Sequence, residues 1–222
     1  MKIIIFGSTG MIGQGVLLES LKNPEIEKVL VVNRQSCGIA SPKLKELIHK
    51  DFYDLSSLTE ELTGYDACLY CLGVSSVGMA EADYQKITYD LTIYIAETLL
   101  KLNKDMSFSY ISGANTDSSE NGKTMWARVK GKTENALLAM PFKRVYMLRP
   151  GFIEPLKGIK SKTPLYQFIY TVFKPLFFIL RHFENIATNT EVLGKAMILV
   201  VQKGYTTKIL ESKDINAIVR LG

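Results

Sequence analysis

Cysteine is scarce in this chain, with three among 222 residues. An odd count leaves at least one thiol unpaired, which excludes a disulfide-built scaffold and points to a reducing compartment. Histidine is scarcer still. His49 and His182 are far apart and have no ligand spacing, so no metal site is expected. There is no dense basic cluster. The net charge is +5, and the nearest basic run, "KGIKSK" (157–162), reads as a solvated loop, so nucleic acid is not expected as a partner. Long uninterrupted apolar runs are also missing. "TPLYQFIYTVFKPLFFILRHF" (163–183) is strongly apolar, but Lys174-Pro175 breaks it short of a membrane span. The opening "MKIIIFGSTG" has an apolar run only from Ile3 to Phe6 before glycines interrupt it, too short for the core of a signal peptide. A cytoplasmic protein is the expectation from these absences.

The composition is that of a globular domain, 47% hydrophobic and 22% charged. Apolar runs of strand length fall at 2–6, 28–33, 47–50, 67–72, 107–112 and 144–149. Most are nearly continuous, as strands buried on both faces should be. Helical stretches at 12–22, 81–103, 125–139 and 190–202 separate them or follow them. This alternation predicts an α/β fold, a doubly wound parallel sheet with helices on both faces. Cys68 and Cys71 form C-x-x-C inside "YDACLYCLG". That stretch reads as a buried strand, whereas a redox pair wants its first cysteine at a helix N-terminus, so both are expected to be small core residues. No repeat or linker interrupts the chain, and 1–222 reads as one domain. The pattern changes after Pro150. Residues 151–190 are expected to form a substrate lid or a subunit-contact insertion, with peripheral membrane contact as the lesser alternative for the apolar 163–183 stretch. "TTKILES" (206–212) predicts a final strand, and "KDINAIV" a closing helical turn or two.

"FGSTGMIG" (6–13) directly follows the first strand and opens the first helix. Gly7, Gly10 and Gly13 are spaced G-x-x-G-x-x-G. Glycines there allow a tight turn and close approach of backbone to a pyrophosphate. The helix N-terminus adds free N–H groups and a positive dipole end. Ser8 and Thr9 are candidate hydroxyl donors, and Met11 and Ile12 complete the loop. At the end of the second strand an acid would bind the ribose 2′-OH of NAD. This chain has "VVNRQS" instead, so Asn33 and Arg34 occupy that place, and Arg34 is suited to a 2′-phosphate. Asp51 and Phe52, after the third strand, are placed for an adenine edge. Cys71, Leu72 and Gly73, closing the fourth strand, are placed for the cofactor's middle. NADP(H) is therefore the expected cofactor, with NAD(H) second.

The G-x-x-G-x-x-G loop, "CLG" (71–73), "YISGA" (110–114), "VKGKTE" (129–134) and "LRPG" (148–151) together resemble the short-chain dehydrogenase/reductase superfamily in its atypical, epimerase-like branch. The resemblance is to small members grouped with nucleoside-diphosphate-sugar epimerases and to the oxidoreductase-like Tat-interacting proteins. It covers about residues 1–155. It implies a Rossmann fold with strand order 3-2-1-4-5-6 and a catalytic Ser, Tyr and Lys. Ser112 matches the Ser that holds a substrate carbonyl. Lys130 matches the Lys that binds the nicotinamide ribose, and Pro150 and Gly151 match a turn near the nicotinamide. Trp126 stands at the Tyr position, four residues before Lys130. Indole is a donor that does not titrate, so Trp126 can orient a carbonyl or cover the cofactor ring but cannot serve as acid or base.

Two functional readings follow from this set. One is an NADP-dependent oxidoreductase or epimerase-like enzyme on a small carbonyl or sugar-type substrate, its missing acid supplied by water or by Tyr166, Tyr170 or His182. The other is a non-catalytic dinucleotide-binding sensor or interaction protein. An oligomer is compatible with both.

Overall fold

The computed structural model describes residues 1–156, 158 and 185–221. The expected lid candidates Tyr166, Tyr170 and His182, and the apolar 163–183 stretch, lie outside the described residues.

Seven parallel strands form one sheet: β1 (Lys2–Phe6), β2 (Lys28–Asn33), β3 (Leu44–Ile48), β4 (Ala67–Tyr70), β5 (Ser107–Ile111), β6 (Arg144–Arg149) and β9 (Ile209–Glu211). Their order is β3-β2-β1-β4-β5-β6-β9, the expected 3-2-1-4-5-6 order with a seventh strand added beside β6. Helices α1 (Met11–Lys22) and α5 (Thr190–Gln202) cover one face. Helices α2 (Glu81–Gln85), α3 (Leu91–Leu102) and α4 (Met125–Ala139) belong to the other, and α6 (Ser212–Leu221) follows β9. A separate parallel pair joins β7 (Phe152–Glu154) to β8 (Ala187–Asn189). This is a Rossmann fold. Among the described residues no helix is long and apolar enough to cross a membrane.

The continuous apolar strands are explained by burial on both faces. Ile3 and Ile5 pack with Val16, Leu17, Leu193 and Met197 under α1 and α5. Ile4 and Phe6 pack with Leu91, Ile95 and Leu99 under α3. Side chains alternate along a strand, so both sets must be apolar. Cys68 is fully buried among them, and Cys71 is a free thiol 3.8 Å from Met197 Sδ. Burial pushes both thiols up, which favours the protonated form of each.

Several local readings change. The third strand covers Leu44–Ile48, not 47–50. It is an edge strand with half-buried residues, and Lys45 and Glu46 interrupt the apolar letters of "LKELI", so those letters understate its length. The helix expected at 81–103 is interrupted by a π turn at Lys86–Asp90. The closing helix runs ten residues, Ser212–Leu221, not a turn or two. The β7–β8 pair was not legible, because three-residue strands carry no periodicity.

Candidate dinucleotide and substrate clefts

The three glycines of the loop serve two different ends. Gly7 has φ +84°, and a Cβ there would lie 2.7 Å from the backbone of Cys71 and Leu72. A Cβ on Gly13 would lie 2.1 Å from the Gly7 carbonyl. The fold itself therefore requires these two. Gly10 is different. It has ordinary extended angles, φ −81° and ψ 166°, and a Cβ would meet nothing closer than Gly7 O at 3.4 Å. The space beside it is a cleft of about 340 Å³.

That cleft gathers residues from four strand ends. Gly7, Thr9, Gly10 and Met11 come from the loop after β1, Asn33 and Arg34 from the end of β2, Phe52 from beyond β3, and Cys71, Leu72 and Gly73 from the end of β4. It lies where the strand order reverses between β1 and β4, the usual ligand crevice of an open α/β sheet. A second recess of about 320 Å³ continues it, sharing Arg34, Phe52, Leu72 and Gly73 and adding Lys50, Asp51, Tyr53 and Ile87. Ile12 packs instead against the core.

The hydroxyl of Ser8 does not face the cleft. It is buried and donates to Asn33 Oδ1 at 2.9 Å, while Asn33 Nδ2 donates to Glu46 Oε1 at 2.9 Å. Glu46 also accepts from Cys37 N at 2.8 Å and from Ser36 Oγ at 2.6 Å. Burial raises its carboxyl pKa, but these three bonds outweigh that and hold it below the ordinary value. Sequence reasoning missed Glu46. It sits mid-strand on β3, opposite Val31, on the side of the sheet that carries Asn33. Its two oxygens organise the turn that presents Arg34. Asp51 is likewise engaged locally, its carboxylate accepting from Tyr53 N at 2.9 Å.

The residues matched to the catalytic set come together at the end of β5. Lys130, on α4, donates from Nζ to the Ser112 carbonyl and lies 5.9 Å above the Tyr110 ring. Burial pulls its pKa down to about 8, against the charge of Glu134, which raises it. Ser112 Oγ is buried and donates to Leu148 O at 3.2 Å, so its hydroxyl is turned to backbone. Trp126 is half-buried, one helical turn before Lys130, and lines neither the glycine-loop cleft nor the cleft described next.

A third cleft, of about 740 Å³, opens beyond β5, β6 and β9 and is lined by Gly113, Asn115, Arg149, Pro150, Gly151, Phe152 and Glu211 among others. Pro150 and Gly151 thus lie there rather than in the glycine-loop cleft. Asn115 is held at φ +65°, an uncommon state for a non-glycine residue. Gly151 lets two segments meet, since a Cβ would lie 2.3 Å from Ile186 O. Among the described residues there is no cluster suited to a metal ion.

Residues 3–124 match the model of the NAD dependent epimerase/dehydratase family. The chain belongs to that family. Curated relatives include the mitochondrial protein FMP52-1 of Scheffersomyces stipitis, 28% identical over 81% of this chain and 80% of its own. The mitochondrial protein FMP52 of Saccharomyces cerevisiae is 25% identical over 72% and 68%. Among solved structures, the ADP-L-glycero-D-manno-heptose-6-epimerase of Helicobacter pylori superposes with a TM-score of 0.69 at 16% identity, covering 99% of this chain and 80% of that one. These names correct the cytoplasmic expectation, because the curated relatives are named mitochondrial. An odd cysteine count argues for a reducing compartment but does not choose among such compartments.

Proposed function

We propose that this member of the family binds a nicotinamide dinucleotide, NADP(H) ahead of NAD(H), in the cleft between the ends of β1, β2 and β4. The observation that carries the reading is Gly10. Nothing in the protein's own packing forbids a side chain there, and a side chain would enter the cleft. A glycine at that place suits a pyrophosphate lying against bare backbone at the start of α1. Arg34 supports the preference for a 2′-phosphate, because no carboxylate lines the glycine-loop cleft, Glu46 is held by Asn33, Ser36 and Cys37, and Asp51 in the adjoining recess accepts from Tyr53 N. Arg34→Ala is expected to cost about 1.5–3 kcal/mol for NADPH, the scale of a charge-assisted contact, and little for NADH. Calorimetry with both cofactors tests this, and equal losses would remove the preference.

Binding without the Ser–Tyr–Lys route of the superfamily is the favoured chemistry. Trp126 does not titrate, and Ser112 Oγ is turned to the Leu148 carbonyl. The protein then acts as a dinucleotide-responsive sensor or interaction partner.

A second reading rests on Lys130. Lys130 lines neither cleft, but its Nζ is held at the Ser112 carbonyl, next to Gly113 of the third cleft. A bound nicotinamide would supply or accept a hydride, and a carbonyl reduced at that place would need a proton on its oxygen. An ammonium with pKa about 8 suits that task near neutral pH. Lys130 would hold that proton and give it to the carbonyl oxygen, then regain one from water. Since the donor is the protonated form, NADPH-dependent reduction of small aldehydes and ketones should fall as pH rises through about 8 and vanish in Lys130→Met. No NADPH consumption across such a panel leaves the first reading.

A further inference from the structure

The recess beyond Phe52 has two walls from distant parts of the chain. One is the turn 50–54, closed on itself by Asp51, whose side chain accepts from Tyr53 N and whose carbonyl accepts from Asp54 N. The other is the π turn Lys86–Asp90, which presents Ile87 and, at its end, Leu91. One side-chain hydrogen bond joins the walls directly: Tyr53 Oη donates to the Lys86 carbonyl at 3.0 Å. That carbonyl already accepts Leu91 N across the wide turn. A π turn holds one more residue than an α turn, and such bulges recur at functional sites. Here the bulge leaves the Lys86 oxygen open to a second donor from outside the helix.

We propose that Tyr53 is the positioning residue for the adenosine end of the dinucleotide, setting the width of the recess by tying the 50–54 turn to the π turn. The inference rests on the reading that the glycine-loop cleft takes a dinucleotide, whose adenosine half then extends past Phe52. Two further features fit this role. Burial and the nearby Asp90 and Asp51 charges push the Tyr53 phenol up, so it stays a hydrogen donor through neutral pH. Its side chain is 43% exposed, so the bond adds little to global stability. The far end of the loop is tied separately, by Leu55 N donating to Tyr94 Oη at 3.0 Å, which should keep the fold when Tyr53 is changed.

The experiment is calorimetry on Tyr53→Phe with three probes: NADPH, adenosine 2′,5′-bisphosphate and nicotinamide mononucleotide. NADPH and the adenosine bisphosphate should each bind about three- to tenfold more weakly, the scale of one lost hydrogen bond acting on a bound ligand. Binding of the mononucleotide and the melting temperature should not change. Tyr53→Ala, which also removes the ring, should repeat the loss and enlarge it. Unchanged binding of NADPH and the adenosine bisphosphate in a normally folded Tyr53→Phe overturns the inference and leaves the dinucleotide reading intact. So does a loss confined to the mononucleotide. Retention of NADPH binding by Gly10→Val would instead bring down the dinucleotide reading itself.

Discussion

Gly10→Val should give a folded protein that no longer takes up dinucleotide. The backbone angles at Gly10 are ones that a β-branched residue adopts freely, and the added Cβ has its nearest neighbour at 3.4 Å. The cost to folding is therefore small, and the side chain occupies the place where a pyrophosphate would lie. A ligand at a hundred times its Kd adds about 2.7 kcal/mol to stability. For a domain of this size that is a rise of roughly 5–11 °C in melting temperature. The native protein should show that rise with saturating NADPH, and the Gly10→Val protein should show none while melting near the native value without ligand. Gly7→Val and Gly13→Val are the contrast. Both would place a Cβ within 2.7 Å of backbone, so they should lose stability before binding can be asked about. A full NADPH-dependent rise in Gly10→Val would show that the ligand does not lie against this loop.

The second large effect is expected at Glu134. Its side chain is fully buried on α4, and Arg149, 11% exposed at the end of β6, holds it. Arg149 Nε lies 3.1 and 3.2 Å from the two carboxylate oxygens, and Nη2 also reaches Oε2. The same guanidinium contacts Ser118 Oγ and, at 3.5 Å, Glu211. Glu134→Ala leaves Arg149 a largely buried charge without its main partner, so a loss of about 3–5 kcal/mol is expected. Urea unfolding measures it. Replacing both partners by apolar residues of similar volume, as in Glu134→Leu with Arg149→Met, should recover much of that loss, because a buried pair is costly mainly when half of it is removed. If Glu134→Ala unfolds at the native urea midpoint, the pair carries no structural weight. This is also the pair that links α4, which bears Lys130, to Arg149 and Glu211 on the third cleft.

That the glycine loop and the ends of β2 and β4 line one cleft was legible, because the cleft is built largely from local sequence. A strand, a glycine turn and a helix start are consecutive, so their residues reveal their geometry without knowledge of the rest. The ends of β2 and β4 follow from the same alternation. The direction of individual hydroxyls was not legible. Ser8 and Ser112 were natural donors to a ligand by type and position. Their partners, Asn33 and Leu148, lie on neighbouring strands and are brought close only by sheet pairing. Glu46 gave no signal for the same reason, because a glutamate on a half-buried edge strand looks solvated until the register sets it beside Asn33. The π turn was hidden too, since one extra residue in a long apolar helix leaves its pattern nearly intact.

By itself the sequence determined the doubly wound parallel fold, the place of the glycine turn between β1 and α1 and the absence of a titrating side chain at position 126. Those depend on periodicity, on glycine's freedom and on the chemistry of indole, which are properties of residues and their near neighbours. Tertiary structure alone decided three other matters. It separated Gly10, which leaves room for a ligand, from Gly7 and Gly13, which leave room for the protein. It turned Ser112 Oγ away from its expected role and buried the Lys130 amine until its pKa fell to about 8. It also joined Tyr53 to Lys86. Each depends on distances between segments far apart in the chain, and hydrogen-bond direction and desolvation exist only once those segments have packed.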